Sequence, residues 1–265
     1  MKLLKLSYSV IAYVIFLGIF NYFVLFLGGG NFAKFLPLLN EIKTVNQGPV
    51  VFAIPFVGVI LANLILLVSF SLQHSVMART GFKALLTKLV PQSAERSTFV
   101  MSTCVILGWM YLAWQPMTGV IWNIGGIAEY IILALFLMGV GLVLWATFMI
   151  SHWDLFGLGQ AWREFRGIQV TNETFITPAM YKYSRHPLYL GLLFVLWATP
   201  LMTTGHLMLA AVWTGYIFIG IWFEERDLIR RFGQEYRDYI ARVPKLIPWA
   251  PKTSTEEKLY PLRNL

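Results

Sequence analysis

Two polar stretches in the last third of the chain carry the side chains best suited to chemistry. The first is Tyr183-Ser184-Arg185-His186-Pro187-Leu188-Tyr189, and the second begins Glu224-Glu225-Arg226-Asp227-Leu228. Charged, hydrogen-bonding and aromatic side chains crowded beside apolar runs suggest a site for a charged molecule. Pro187 fits the first turn of a helix, where its missing N–H costs nothing, so Arg185 and His186 stand at a helix mouth. Glu224 and Glu225 close a later apolar run, where acidic groups oppose the helix dipole and require compensation. Arg226, Arg230 and Arg231 offer it as surface ion pairs; a cationic ligand offers it otherwise.

A second group, His74, His152, Asp154 and Arg163, follows the ends of other apolar runs. Its histidines stand at no metal-ligand spacing such as His-x-x-x-His, so no metal is expected. His206 is expected to be an interfacial histidine at the opposite turn.

The elements that position these groups are dictated by composition. The 265 residues are 57% hydrophobic and 13% charged, against roughly 45–50% and about 25% in soluble domains. The expectation is a single all-α integral membrane domain with five to six transmembrane helices. Apolar runs lie at Ser7–Leu27, Pro49–Leu72, Phe99–Trp114, Ile127–Ile150, Leu188–Thr203 and Leu207–Phe223. The last two, separated by Thr204-Gly205-His206, read as a tight helical hairpin. Residues 1–150 form an N-terminal four-helix part, 151–248 the ligand-binding part, and 249–265 a polar tail. Leu228, Phe232, Tyr236 and Tyr239 are spaced for an amphipathic helix that folds over the hairpin.

Lys2, Lys5, Arg79, Lys83, Lys88, Arg96, Arg163, Arg166 and the run from Arg226 to Lys252 alternate with a charge-free loop at 115–126. Positive residues favour the cytoplasmic side, which places both termini and the basic loops there, in a membrane expected to be a bacterial inner membrane. The net charge of +8 therefore points to an anionic lipid surface and not to nucleic acid. Cys104 alone cannot form an intramolecular disulfide and reads as a small core residue.

Taken together, Tyr181 to Gly191, Glu224 to Leu228, Phe232-Gly233-Gln234-Glu235-Tyr236-Arg237-Asp238-Tyr239 and Leu246-Ile247-Pro248 resemble the isoprenylcysteine carboxyl methyltransferase and phospholipid methyltransferase superfamily. Ser71-Leu72-Gln73-His74-Ser75 and the stretch from His152 to Trp162 are similar to its NnrU-like branch and to membrane methanethiol S-methyltransferases. The resemblance implies S-adenosylmethionine bound without a Rossmann domain, in a cytoplasmic pocket made by the hairpin and the segment after it. Carried over by motif, the cofactor contacts are Tyr183, Arg185, His186, Tyr189, Glu224, Glu225 and Tyr236, with Gln160 from the preceding loop. S-adenosylhomocysteine is the implied by-product.

A small thiol acceptor with a pKa near 10 needs a base or a cationic neighbour to become a thiolate. His74 with Asp154 is the expected base pair, Arg163 the expected charge stabiliser, and His152 the competing base. Trp109, Trp145 and Trp153 are expected to fill acceptor space. Rival readings are a lipid or prenylated acceptor, a nicotinamide-dependent membrane reductase, and a non-enzymatic accessory protein. The oligomeric state is not legible.

Overall fold

The computed structural model describes residues 1–168 and 175–248; the expected polar tail at 249–265 lies outside them. The chain is an all-α membrane protein built on long apolar helices. Those long and apolar enough to cross a bilayer are α1 (Lys2–Phe32), α2 (Phe56–Ala78), α5 (Ile127–Ile150) and α9 (Thr204–Phe232). About 20 apolar residues span the hydrocarbon, and the 31 residues of α1 and 29 of α9 exceed that, so parts of both stand outside it. The short α3 (Thr80–Leu86) follows α2, and α4 (Gln92–Ala113) covers nearly all of Phe99–Trp114, the third of the expected apolar runs. Its first turns carry Glu95, Arg96 and Ser97, so only its second half is continuously apolar.

The C-terminal hairpin differs from its expected form. Its first arm, α8 (Pro187–Trp197), has 11 residues, or about 16 Å of helix, half a bilayer. The chain then turns into strand β2 (Leu201–Thr203), which pairs antiparallel with β1 (Val120–Asn123). Thr204-Gly205-His206 is not the turn but the first turn of α9, where the Thr203 side chain accepts from the His206 N–H. The ladder joins positions some 80 residues apart and its side chains give a weak local signal, which is why the helical reading ran through it. His206 is fully buried, its Nε2 2.9 Å from the Leu196 carbonyl oxygen, one of the carbonyls a helix end leaves without an intrahelical partner.

The closest helix packing joins α5 to α8 through two glycines. A Cβ on Gly139 would come within 2.8 Å of the Gly191 carbonyl oxygen, and one on Gly191 within 2.8 Å of that of Gly139. Small residues allow backbones to meet this way in a membrane, where dispersion contacts replace the hydrophobic drive.

Past the apolar run α9 continues two more turns, so Glu224 and Glu225 are mid-helix residues. Gly233, at φ +58°, breaks the expected amphipathic helix, and α10 (Gln234–Arg242) follows. Tyr236 and Tyr239 of α10 pack with Ile229, Val243 and Phe175 in a small core at this end. Between α5 and α8 lie α6 (His152–Leu155) and α7 (Leu158–Arg166). Cys104 is buried, as expected, in a core of Met77, Phe99, Val100 and Phe156.

Candidate active site

Pro187 starts α8 and leaves Arg185 and His186 at its mouth, as the sequence predicts. The backbone N–H groups of Arg185 and His186 donate to the carbonyls of Pro244 and Lys245, at 3.0 and 3.1 Å. This two-bond strap pins the segment after α10 across the start of α8. Inside it, Arg185 Nε donates to Glu225 Oε1 at 2.7 Å, with both side chains fully buried. Nη1 of Arg185 donates to the carbonyls of Val243, at 2.6 Å, and Ile240, at 3.3 Å. His186 Nε2 lies 3.1 Å from the same Glu225 oxygen, and Lys245 Nζ 3.9 Å from the other. Glu225 is thus the hub joining α8, α9 and the exit from α10.

Tyr236 lies buried beside this hub, its ring 5.6 Å from that of Tyr239. Burial, with the Glu225 and Glu224 carboxylates adding to it, pushes the Tyr236 phenol far above its usual range and keeps it neutral. Tyr239 donates to the Tyr181 carbonyl at 2.5 Å, which ties α10 to the segment before α8.

Beside the hub is an open pair. Tyr189 donates to Glu224 Oε2 at 2.9 Å, and Glu224 is exposed. The Tyr189 ring lies 5.6 Å from that of His186. Six of the eight expected cofactor contacts therefore come together: Arg185, His186, Glu225 and Tyr236 in the closed hub, Tyr189 and Glu224 at its rim. Tyr183 is 54% exposed and Gln160 lies elsewhere. The donor set fits S-adenosylmethionine: an accessible carboxylate for an ammonium or ribose hydroxyls stands beside aromatic faces for a sulfonium.

Gln160 belongs to the first turn of α7, where its Nε2 donates to the Asp154 carbonyl of α6 at 3.0 Å. Asp154 accepts from Ser151 at 2.8 Å and pairs with Arg163 at 2.6 Å. Burial acts to raise the Asp154 carboxyl, but the hydrogen bonds from Arg163 and Ser151 and the Arg163 charge outweigh it and hold the group below its ordinary value. α7 is tied to α1 and α4 through Glu164, which accepts from Lys5 and Ser93.

The two candidate bases separate on hydrogen-bond logic. The Thr147 hydroxyl donates to Leu144, so its oxygen must accept from His152 Nδ1 at 2.7 Å. That leaves His152 Nε2 to accept from Tyr13 at 2.7 Å, and both nitrogens are taken in a buried ring stacked on Phe148. The Thr103 hydroxyl donates to the Phe99 carbonyl at 2.9 Å, so at 3.4 Å it accepts from His74 Nδ1. Nε2 of the half-buried His74 then carries the lone pair, and no described residue occupies it.

Among the described residues, no hydrogen bond or ion pair joins His74 to Asp154. Arg96, which donates to the Leu155 carbonyl at 2.7 Å, holds its guanidinium 4.7 Å over the Phe99 ring, whose centroid is 4.9 Å from that of His74. Arg96, Tyr13, Thr103 and Thr147 were not expected from the sequence; the first three act through residues 29 to 139 positions away, whereas Thr147 meets His152 five residues on. Trp109, Trp145 and Trp153 are 50–59% exposed and face outward; their bulk serves the membrane-facing surface.

Comparison with known proteins extends these observations. The family described as Phospholipid methyltransferase matches residues 127–235. Over 93% of its length the chain is 40% identical to a protein named methanethiol S-methyltransferase 2 of Bradyrhizobium diazoefficiens, 91% of which is covered. It is 41% identical over 94% of its length to a methanethiol S-methyltransferase of Mycobacterium tuberculosis, 97% of which is covered. A methanethiol S-methyltransferase of Crocosphaera subtropica is 42% identical over 94% of the chain and 93% of its own length. No solved structure matches.

Proposed function

The chain belongs to the methanethiol S-methyltransferase family, and on that premise we propose that it transfers a methyl group from S-adenosylmethionine to methanethiol, giving dimethyl sulfide and S-adenosylhomocysteine. The observation that carries this reading is the extent of the likeness. The Phospholipid methyltransferase match is confined to residues 127–235, whereas the relatives named for methanethiol align along more than nine-tenths of the chain. They therefore share α2 and α4, which hold His74, as well as the segments around Glu225.

When bound, S-adenosylmethionine supplies an electrophilic methyl whose bonding electrons stay with its own sulfur. Glu224 and Tyr189 would hold its polar groups and the Tyr189 face would take its cationic centre, with the buried His186 and Tyr236 packed behind them. The Arg185–Glu225 pair keeps α8, α9 and the strap in register and so fixes the position of those contacts. His74 Nε2 takes the thiol proton, which the thiol gives up poorly at neutral pH without a base. Asp154 and Arg163 tie α6 to α7 instead of supporting His74 directly.

The site end carries Lys2, Lys5, Arg79, Lys83, Lys88, Arg163 and Arg166. By the positive-inside rule it faces the cytoplasm of a bacterial inner membrane. A methyl acceptor as small and apolar as methanethiol reaches such a site through lipid. Headspace gas chromatography of detergent-purified protein, given S-adenosylmethionine and methanethiol, is the test. Dimethyl sulfide from the wild type and its loss in Glu224→Ala are expected; no product from protein that binds S-adenosylhomocysteine would discard methanethiol as acceptor.

A further inference from the structure

Between α2 and α9, beside His74, lies an aromatic group with no assigned role. The Phe70 ring centroid is 5.5 Å from that of His74, 4.9 Å from that of Trp213 and 6.2 Å from that of Tyr216. Trp213 is only 6% exposed, yet among the described residues its indole Nε1–H has no acceptor. A buried donor without a partner costs about 1–3 kcal/mol and is kept where something else uses it. Phe70, His74 and Tyr216 are half-buried, so these three side chains reach the surface of the helices while the Trp213 Nε1 lies buried among the core residues.

The same group adjoins the rim of the proposed cofactor site. Tyr216, Gly220 and Glu224 follow one another at four-residue intervals along one face of α9. A Cβ on Gly220 would lie 3.8 Å from the Tyr189 hydroxyl that holds Glu224. Ser75 donates to the Tyr216 oxygen at 3.2 Å, which leaves the Tyr216 hydroxyl proton to point at another acceptor.

We infer that Phe70, Trp213 and Tyr216 form the seat of the thiol acceptor, with the buried Trp213 N–H as hydrogen-bond donor to its sulfur. This rests on the methyltransferase function proposed above and adds the acceptor's location and the origin of its size limit. Phe70 bounds the apolar end of the seat, so a one-carbon thiol fits and longer ones meet the ring. The sulfur sits between the Trp213 N–H and the Tyr216 hydroxyl. His74 Nε2 receives the S–H proton, and the sulfur electron pair so freed forms the new bond to the methyl carbon as the donor's bond to it breaks.

The test compares wild type, Trp213→Phe and Phe70→Ala for thioether formation from methanethiol, ethanethiol and propanethiol, with calorimetric binding of S-adenosylhomocysteine as the independent readout. Trp213→Phe keeps a ring but removes the donor; its KM for methanethiol should rise about fivefold while S-adenosylhomocysteine binds as in wild type. Phe70→Ala should shift preference from methanethiol toward propanethiol by about tenfold or more, the scale set by one or two methylenes in an apolar pocket. Should Phe70→Ala not fold, Phe70→Leu carries the same comparison with a smaller shift. Unchanged thiol KM and chain-length preference in variants that still bind S-adenosylhomocysteine would overturn the seat alone. A wild-type protein that methylates no thiol would overturn the methyltransferase reading and the seat with it.

Discussion

Arg185 Nε and Glu225 Oε1 stand 2.7 Å apart with neither side chain exposed, and this contact joins the mouth of α8 to the polar part of α9. A buried ion pair gains little over apolar residues of the same size, but losing one partner leaves the other charged and stranded, at about 3–5 kcal/mol. Glu225→Ala should therefore lower stability by that order in a detergent thermal melt. Arg185→Lys should lose nearly as much, because a single ammonium cannot reproduce the fork that meets Glu225 and the Val243 carbonyl together. Replacing both as Arg185→Met with Glu225→Leu should recover most of the loss. A double variant no more stable than the singles would show that the hub is not coupled in this way.

The rim pair behaves differently. Tyr189 donates to Glu224 at 2.9 Å and Glu224 is exposed, so neither is expected to carry the fold. Glu224→Gln should leave the melting temperature within the scatter of surface changes, about 0.5 kcal/mol. By calorimetry it should weaken S-adenosylhomocysteine about 10- to 100-fold, as expected for a lost hydrogen bond to a charged group. Tyr189→Phe should weaken it less. Equal affinity in wild type and Glu224→Gln would remove the rim from the cofactor site.

The grouping of Arg185 and His186 with Glu224 and Glu225 was legible because an antiparallel hairpin brings its two polar ends to one rim whatever its length; Tyr236, on α10, was reached only through the family resemblance. The composition likewise required apolar helices, and Pro187 required a helix start. The sequence misled where tertiary partners decide. Leu188–Thr203 is apolar throughout, but only its first part is helix, since the last part finds a strand partner in Val120–Asn123. His74 was expected just after the second membrane helix but lies within α2, while His152 opens α6; a threonine takes Nδ1 of each, and what separates them is that Tyr13 takes Nε2 of His152. Tyr13 is 139 residues from His152, a pairing that no local pattern encodes. Asp154 was expected beside His74, and the nearer Arg163 takes it instead.

His152 sets a pH dependence. Burial lowers its pKa from the ordinary 6.5, and its hydrogen bonds require the neutral ring. The unfolded chain takes up the proton near pH 6.5 while the folded ring resists it, so below that pH the unfolded state binds more protons. The stability due to neutral His152 is complete above pH 6.5 and falls as the pH drops towards and through the lower folded value. Melting temperatures of wild type and His152→Gln, taken from pH 7.5 to 5, should converge at the acid end, because glutamine does not titrate. Parallel curves would mean that His152 is not the group responsible.

The glycine crossing links packing to function. With Gly139 and Gly191 backbone to backbone, a Cβ on Gly191 would come within 2.8 Å of the Gly139 carbonyl and 2.9 Å of the Val143 nitrogen. Rigid backbone cannot yield as a side chain would, so Gly191→Ala must push α8 away from α5. Overpacking of this kind costs about 1–3 kcal/mol. The shift should also move His186 and Tyr189, which α8 carries at its mouth, and so weaken S-adenosylhomocysteine along with stability. Gly141, close to the crossing along α5, would meet no atom within 4 Å of an added Cβ, and Gly141→Ala should be neutral or slightly stabilising because alanine favours the helix. Thermal melts and calorimetry on both variants decide the point: if Gly191→Ala loses stability but binds S-adenosylhomocysteine as wild type does, α8 does not transmit the crossing to the site.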